Sequence, residues 1–202
     1  MYHFDKPIIV TGCDIETTGL SQEKGHRIIE ISLMVYKTMN GADFTKIGEW
    51  TRRINPLRSI DPGAQNVHKI SIADLHGEPE WEDVAPHLIK LLNASDLLVG
   101  HNGNGFDFPF IALEIMRIGM DLPNFEVFDT MLEGRDSTGM GKVPSLQELC
   151  FAYDEEYDTS SAHAADYDTE QMMKCFFKAC KWGQFRPEIF EKRHLQKTEV
   201  AA

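Results

Sequence analysis

The chain has 202 residues, of which 42% are apolar and 26% charged, the balance of a protein that buries one sizeable core. Its 20 Lys and Arg are outweighed by 32 Asp and Glu, and a net charge of −12 argues against broad electrostatic binding along duplex nucleic acid. No apolar run approaches membrane-spanning length, the start lacks a signal-peptide core, and the 4 cysteines form no Cys-x-x-Cys pair. A cytoplasmic protein with reduced thiols and no membrane partner is the expectation.

Ile8-Ile9-Val10, short and β-branched, reads as a strand buried on both faces, and it leads into Gly12 to Gly19. Arg27 to Tyr36 supplies a second strand through Ile28, Ile29, Ile31, Leu33 and Val35. After the Asn40-Gly41 turn, Phe44 to Ile54 gives a third, completing an antiparallel meander. Asn55-Pro56 and Asp61-Pro62-Gly63 punctuate a loop. Trp81 to Leu92 has helical spacing, with Pro86 expected to kink it. Leu97 to Gly100 is a short buried strand, Phe108 to Ile118 a helix stopped by Gly119, and Val127 to Thr130 another strand. Met131 to Pro144 reads as a flexible loop before a short helix near Leu146, and a last helix runs from about Ala164 to Lys181. The expected organisation is one α/β domain over residues 1–183, a mixed sheet with helices on both faces, followed by a partly helical or disordered tail over 184–202.

Asp14 and Glu16 alternate along the first strand and so point to one side. Two carboxylates there either reach solvent at the Thr17-Thr18-Gly19 turn or need a positive partner, for which a hard, oxygen-ligated Mg²⁺ or Mn²⁺ is suited. Asp107 heads the helical stripe continued by Ile111, Ile115 and Ile118. A carboxylate there is also what a helix N-terminus favours by itself. Asp168 shares a face with Ala165, Met172, Phe176 and Ala179, all core residues. His163 precedes that helix. One strand end and two helix starts thus present four acids suited to a shared metal site, and a histidine beside it has the task of taking a proton from water. Two loose basic groups, one of Arg52, Arg53, Arg58 and Lys69 and one of Lys174, Lys178, Lys181 and Arg186, suit either a solvated surface or guidance of a phosphate backbone.

Asp14-Ile15-Glu16-Thr17-Thr18-Gly19-Leu20, His101-Asn102 through Phe106-Asp107, and His163-Ala164-Ala165-Asp166-Tyr167-Asp168 resemble, in order, the three motifs of the DEDDh family of 3′–5′ exonucleases. The likeness runs over roughly residues 7 to 180, with Val127 to Thr130 and Ser145 to Leu149 as further landmarks. The spacing between Asn102 and Phe106 is similar to that of the TREX branch, although the proline-rich insert of that branch is missing.

The resemblance implies an RNase H-like fold and two-metal hydrolysis of the 3′-terminal phosphodiester. It implies Asp14 bridging both ions, Glu16 and Asp168 on the one that activates water, Asp107 on the other, and His163 as general base. It further implies Leu20, Val67 and Ile70 against terminal bases, Phe106 against sugar or base, and the Thr17 backbone at the 3′ hydroxyl. The expected substrate is single-stranded or frayed DNA, cleaved to nucleoside 5′-monophosphates. An RNase T-like or oligoribonuclease-like enzyme acting on RNA 3′ ends, a polymerase-associated proofreading subunit, and a scaffold without catalysis are the alternatives. A homodimer and a polymerase are the protein partners that such a reading accommodates.

Overall fold

A computed structural model describes residues 6–139 and 141–192. Its frame is a five-stranded sheet of order β3-β2-β1-β4-β5. The strands are β1 (Ile8–Thr17), β2 (Ile28–Thr38), β3 (Phe44–Arg53), β4 (Leu97–Gly100) and β5 (Glu126–Asp129). The first three form the antiparallel meander, and β4 and β5 add in parallel beside β1.

Strand parity in β1 sorts the core into two layers. Ile8 and Val10 face α5 (Leu146–Ala152) and α6 (Ala165–Lys181), whereas Cys13 and Ile15 face α2 (Trp81–Asn93) and α3 (Asp107–Arg117). Asp14 and Glu16 therefore continue the row that looks toward α6. Gly12 lets that helix come close, since a Cβ there would stand 2.5 Å from Met173 Cγ. No described helix is long and apolar enough to cross a membrane.

The structure departs from the sequence reading in four places. Pro62–His68 forms helix α1 where a loop was expected: Pro62 occupies its first turn, where a missing N–H costs nothing, and Lys69 ends it in the left-handed conformation. Helix α2 runs on through Pro86, its stripe of Trp81, Val84, Ala85, Leu88 and Leu92 fully buried. Packing of that stripe outweighs the one backbone bond the proline removes. Most of Met131 to Pro144 is ordered: α4 (Thr130–Glu133) and a 3-10 turn, Gly134–Thr138, follow β5 directly. The cause is Asp129, whose carboxylate accepts the N–H groups of Met131 and Leu132.

Lastly, packing continues beyond residue 183. Phe185 is buried with the α5–α6 core, Ile189 and Phe190 lie against it, and 188–192 is helical. The expected tail thus begins as part of the fold, and its residues 193–202 lie outside the described residues.

Candidate active site

The turn after β1 is braced from beneath. Thr18 Oγ1 lies 3.0 Å from His26 Nδ1, and His26 Nε2 lies 3.4 Å from Asp61 Oδ2. Gly19 rests on the imidazole, where a Cβ would come within 2.4 Å of His26 Cε1. With the ring filling the inside of the turn, the next side chain has only the outside: Leu20 is 84% exposed. The Asp61 N–H donates to the Thr18 carbonyl at 2.9 Å, which docks the start of α1 on the same turn.

Asp107 is the first residue of α3, and its buried Oδ1 accepts the Ile15 N–H at 3.1 Å. The loop before it hangs on Asp129, whose two oxygens accept the N–H groups of Asn102 and Asn104, each at 3.0 Å. His101 closes the loop, with Nδ1 3.0 Å from Thr130 Oγ1 and Nε2 donating to the Pro144 carbonyl at 3.1 Å. Burial pushes its pKa down to about 4, so this imidazole stays neutral and serves as a strut.

Asp168 is buried in the first turn of α6. Its Oδ1 accepts the Tyr157 hydroxyl at 3.0 Å and its Oδ2 accepts the His163 N–H at 2.8 Å. His163 adopts a left-handed φ of 64° and is exposed. That bond ties the strained backbone of His163 to the carboxylate, and among the described residues no hydrogen bond holds its imidazole at the rim.

These elements surround one cleft of about 620 Å³. Asp14, Glu16, Thr17, Leu20, Val67, Phe106, Asp107, His163 and Asp168 all line it. Ile70 does not: it is buried with Ile29 and Leu75. The left-handed turn at Lys69 separates it from Val67, so the two do not share a helical face.

Several lining residues were not singled out as site residues from the sequence, among them Asp61, His68 and Asn102. His68 is buried and its Nδ1 accepts the Ile70 N–H at 3.0 Å, which puts the proton on Nε2. That Nε2 makes no well-formed hydrogen bond among the described residues, although the Thr17 backbone lies close enough to hold the ring's pKa up in part. Burial lowers the His68 pKa, so the ring is a neutral donor. Its only sequence signal was its place beside Val67. Tyr157 lies in a stretch without periodicity and gave no signal.

All four acids have raised pKa values, and burial is the first cause in each. Glu16 is pushed up to about 9 and Asp107 to about 7, while Asp14 is raised well above the carboxylate range and Asp168 also upward. Asp107, Glu16 and Asp168 add repulsion at Asp14. Among the described residues, no ion pair gives any of the four a Lys or Arg partner. An acid cluster without cationic side chains is a donor set for hard cations. Among the described residues no three His, Cys, Asp or Glu side chains close into a cage on their own.

A mixed five-stranded sheet with this order, and a cleft lined by four carboxylates from its first strand and two helix starts, define an exonuclease domain of RNase H-like fold. The chain belongs to the RNase T exonuclease family, which it matches over residues 11–176, within the DEDD 3′–5′ exonucleases. It is 32% identical over 157 residues to the 3′–5′ exonuclease DinG of Bacillus subtilis, covering 78% of this chain and 16% of that protein. It is 28% identical over 173 residues to the DNA polymerase III subunit epsilon of Escherichia coli, covering 81% of this chain and 68% of that subunit. Among solved structures, E. coli exonuclease I with single-stranded DNA superposes with a TM-score of 0.71 at 16% identity, over 86% of this chain and 40% of that one. Exonuclease X bound to 5′-overhanging duplex DNA gives 0.62 at 20%, over 91% and 98%. These two likenesses establish the fold.

Proposed function

We propose that this chain is a metal-dependent 3′–5′ exonuclease that hydrolyses the 3′-terminal phosphodiester of single-stranded or frayed DNA and releases nucleoside 5′-monophosphates. The observation that carries the reading is four carboxylates on one cleft, without a Lys or Arg partner among the described residues, with the exposed His163 at its rim.

Asp14, Glu16, Asp107 and Asp168 would hold two Mg²⁺ or Mn²⁺ ions. Such a pair, when bound, stabilises charge on the attacking and leaving oxygens of an in-line displacement. His163 takes a proton from the attacking water at its imidazole, and being exposed it can pass that proton to solvent. Exposed Leu20 and Val67 form an apolar edge where the terminal base stops, and Phe106, tilted on Phe110 at 4.9 Å, offers a firm surface to the sugar. The Thr17 backbone would then meet the 3′ hydroxyl.

DNA is favoured because exonucleases I and X, which share the fold, were solved with DNA bound. A polymerase-associated proofreading role has its own support in the similarity to polymerase III epsilon subunits. Matched 5′-labelled DNA and RNA oligomers with Mg²⁺, Mn²⁺ or excess chelator test the main reading. Loss of DNA from the 3′ side, abolished by chelator, is expected. Unchanged hydrolysis in chelator would overturn it, and faster loss of RNA would overturn the substrate. Retention of a replicative polymerase by the tagged chain tests the second reading.

A further inference from the structure

Glu30 lies on β2 directly across from Glu16 in the β1–β2 register, is only 7% exposed, and does not line the cleft. Its Oε1 accepts Arg53 Nε–H at 3.0 Å from β3, and its Oε2 accepts the N–H of Ala165 at 3.3 Å. Ala165 is the first residue of α6, whose preceding residue, Ala164, has no side chain that can cap it. The opening N–H groups of a helix have no partner within the helix. The helix that carries Asp168 therefore receives its cap from a strand 135 residues earlier in the chain.

The geometry points to Glu30 as a positioning residue, a clasp that fixes the head of α6, with His163 and Asp168, against Glu16 on β1. This rests on the exonuclease reading for its consequence, although the clasp itself is a matter of geometry. A carboxylate at a helix N-terminus is favoured by the helix dipole as well as by the bond it accepts. Arg53 pairs with it, and what charge Glu30 keeps still repels Glu16 and Asp14, so the clasp stands close enough to the acid cluster to bear on its charge as well as on its geometry. Glu16 and Asp168 belong to different elements, and no direct hydrogen bond joins them; Glu30 contacts the helix start and shares the register of Glu16. A catalytic group displaced by about 1 Å costs on the order of 10²-fold, so the clasp acts on turnover.

The test compares Glu30→Ala, Glu30→Asp and Glu30→Gln in the full chain. Alanine removes the cap, aspartate keeps the charge but falls one methylene short, and glutamine keeps an oxygen for the Ala165 N–H. Glu30→Ala and Glu30→Asp should lower kcat by about 10–100-fold with KM for a single-stranded oligomer unchanged, as is usual for residues that orient metal ligands. Both should weaken Mn²⁺ binding, read from free Mn²⁺ by electron paramagnetic resonance, and speed exchange of the Ala165 amide. Glu30→Gln should retain protection of that amide and most of the turnover. Should Glu30→Ala fail to fold, the aspartate and glutamine variants carry the comparison. Wild-type exchange, Mn²⁺ affinity and kcat in Glu30→Asp, or a rise in KM alone, would overturn the clasp. A wild-type chain that cleaves no oligomer would overturn the exonuclease reading, and Ala165 exchange would still decide the clasp.

Discussion

The Tyr157 hydroxyl donates to Asp168 Oδ1 at 3.0 Å, while Oδ2 of the same carboxylate accepts the His163 N–H at 2.8 Å. Both oxygens of one acid are thus oriented by donors outside the helix that carries it. Tyr157→Phe keeps the ring and its tilted contact with Tyr167 but leaves Oδ1 free to turn. Activity should fall about 10–100-fold, in line with other losses of a ligand's orienting partner, with the melting temperature little changed. Steady-state kinetics at saturating and limiting Mn²⁺ check this. Full activity at both would show that Asp168 needs no such orientation.

The second prediction concerns pH and metal. Glu16 titrates at about 9 against an ordinary 4.5, and Asp107 at about 7 against 3.8, mainly because burial penalises their charged forms. A raised pKa means that the folded state holds protons the unfolded chain has lost. The stability these groups contribute is complete below the ordinary values and disappears as pH rises through 7 and then 9. Metal-free protein should melt at progressively lower temperature across that window. Cations bind the ionised forms, so Mn²⁺ should raise the melting temperature more at high pH than at low. Calorimetry at several pH values, with and without Mn²⁺, reads both effects. Asp14→Ala, which removes the residue repelled by all three other acids, should abolish activity and flatten the metal-free slope. A melting temperature indifferent to Mn²⁺ at every pH would contradict the site.

A third prediction separates base from ligand. If His163 takes the proton of the attacking water, His163→Ala should lower turnover on the order of 10²–10⁴-fold. Mn²⁺ affinity should survive, because Asp168 takes its hydrogen bond from the His163 backbone and not from the ring. Lost Mn²⁺ affinity in a folded variant would make the imidazole a ligand.

His68 supplies the fourth. Its Nε2 is a buried donor on the cleft wall with no well-formed partner among the described residues, the Thr17 backbone standing near but not well aligned. An unpaired buried donor costs roughly 1–3 kcal/mol, which an acceptor on the bound nucleotide would relieve. His68→Leu should raise KM by about 5–100-fold, the range that energy spans, and should not weaken the empty fold. Unchanged KM would leave that nitrogen without a role in binding.

How far the sequence carried differs by element. The sheet was legible because β-branched runs such as Ile28 to Val35 have no competing period. The four acids were legible because each interrupts a core stripe or strand end. Helix α1 was hidden by Asp61-Pro62-Gly63, whose turn chemistry serves equally well to start a helix. Ordering of residues 130–138 depends on Asp129 capping from the end of a strand, which becomes visible only once that strand has a neighbour. The contacts that orient the site, Tyr157 to Asp168 and Asp129 to the Asn102–Asn104 loop, join positions 11 or more residues apart. Such pairs have no period, so local pattern does not reveal them.

The last prediction is direction and end dependence. Leu20 is thrown outward by the His26-braced turn, and Val67 stands exposed on α1, which is docked to that same turn. Together they place an apolar edge beside the acids, and a terminal base that stops there brings only the last phosphodiester to the carboxylates. In-line attack needs that register, and an error of about 1 Å costs on the order of 10²-fold. A 3′-phosphate, which puts charge where the Thr17 backbone would meet a hydroxyl, should slow the reaction strongly, and closed circles should survive. Net charge of −12 makes grip away from the end weak, so release of mononucleotides should be distributive or only mildly processive at moderate salt. Leu20→Ala should blur the register and raise KM more than it lowers kcat. A 5′-labelled oligomer should give a ladder that shortens from the 3′ side. Rapid cutting of a circle, or immediate release of the labelled 5′ nucleotide, would show the end requirement and the polarity to be wrong.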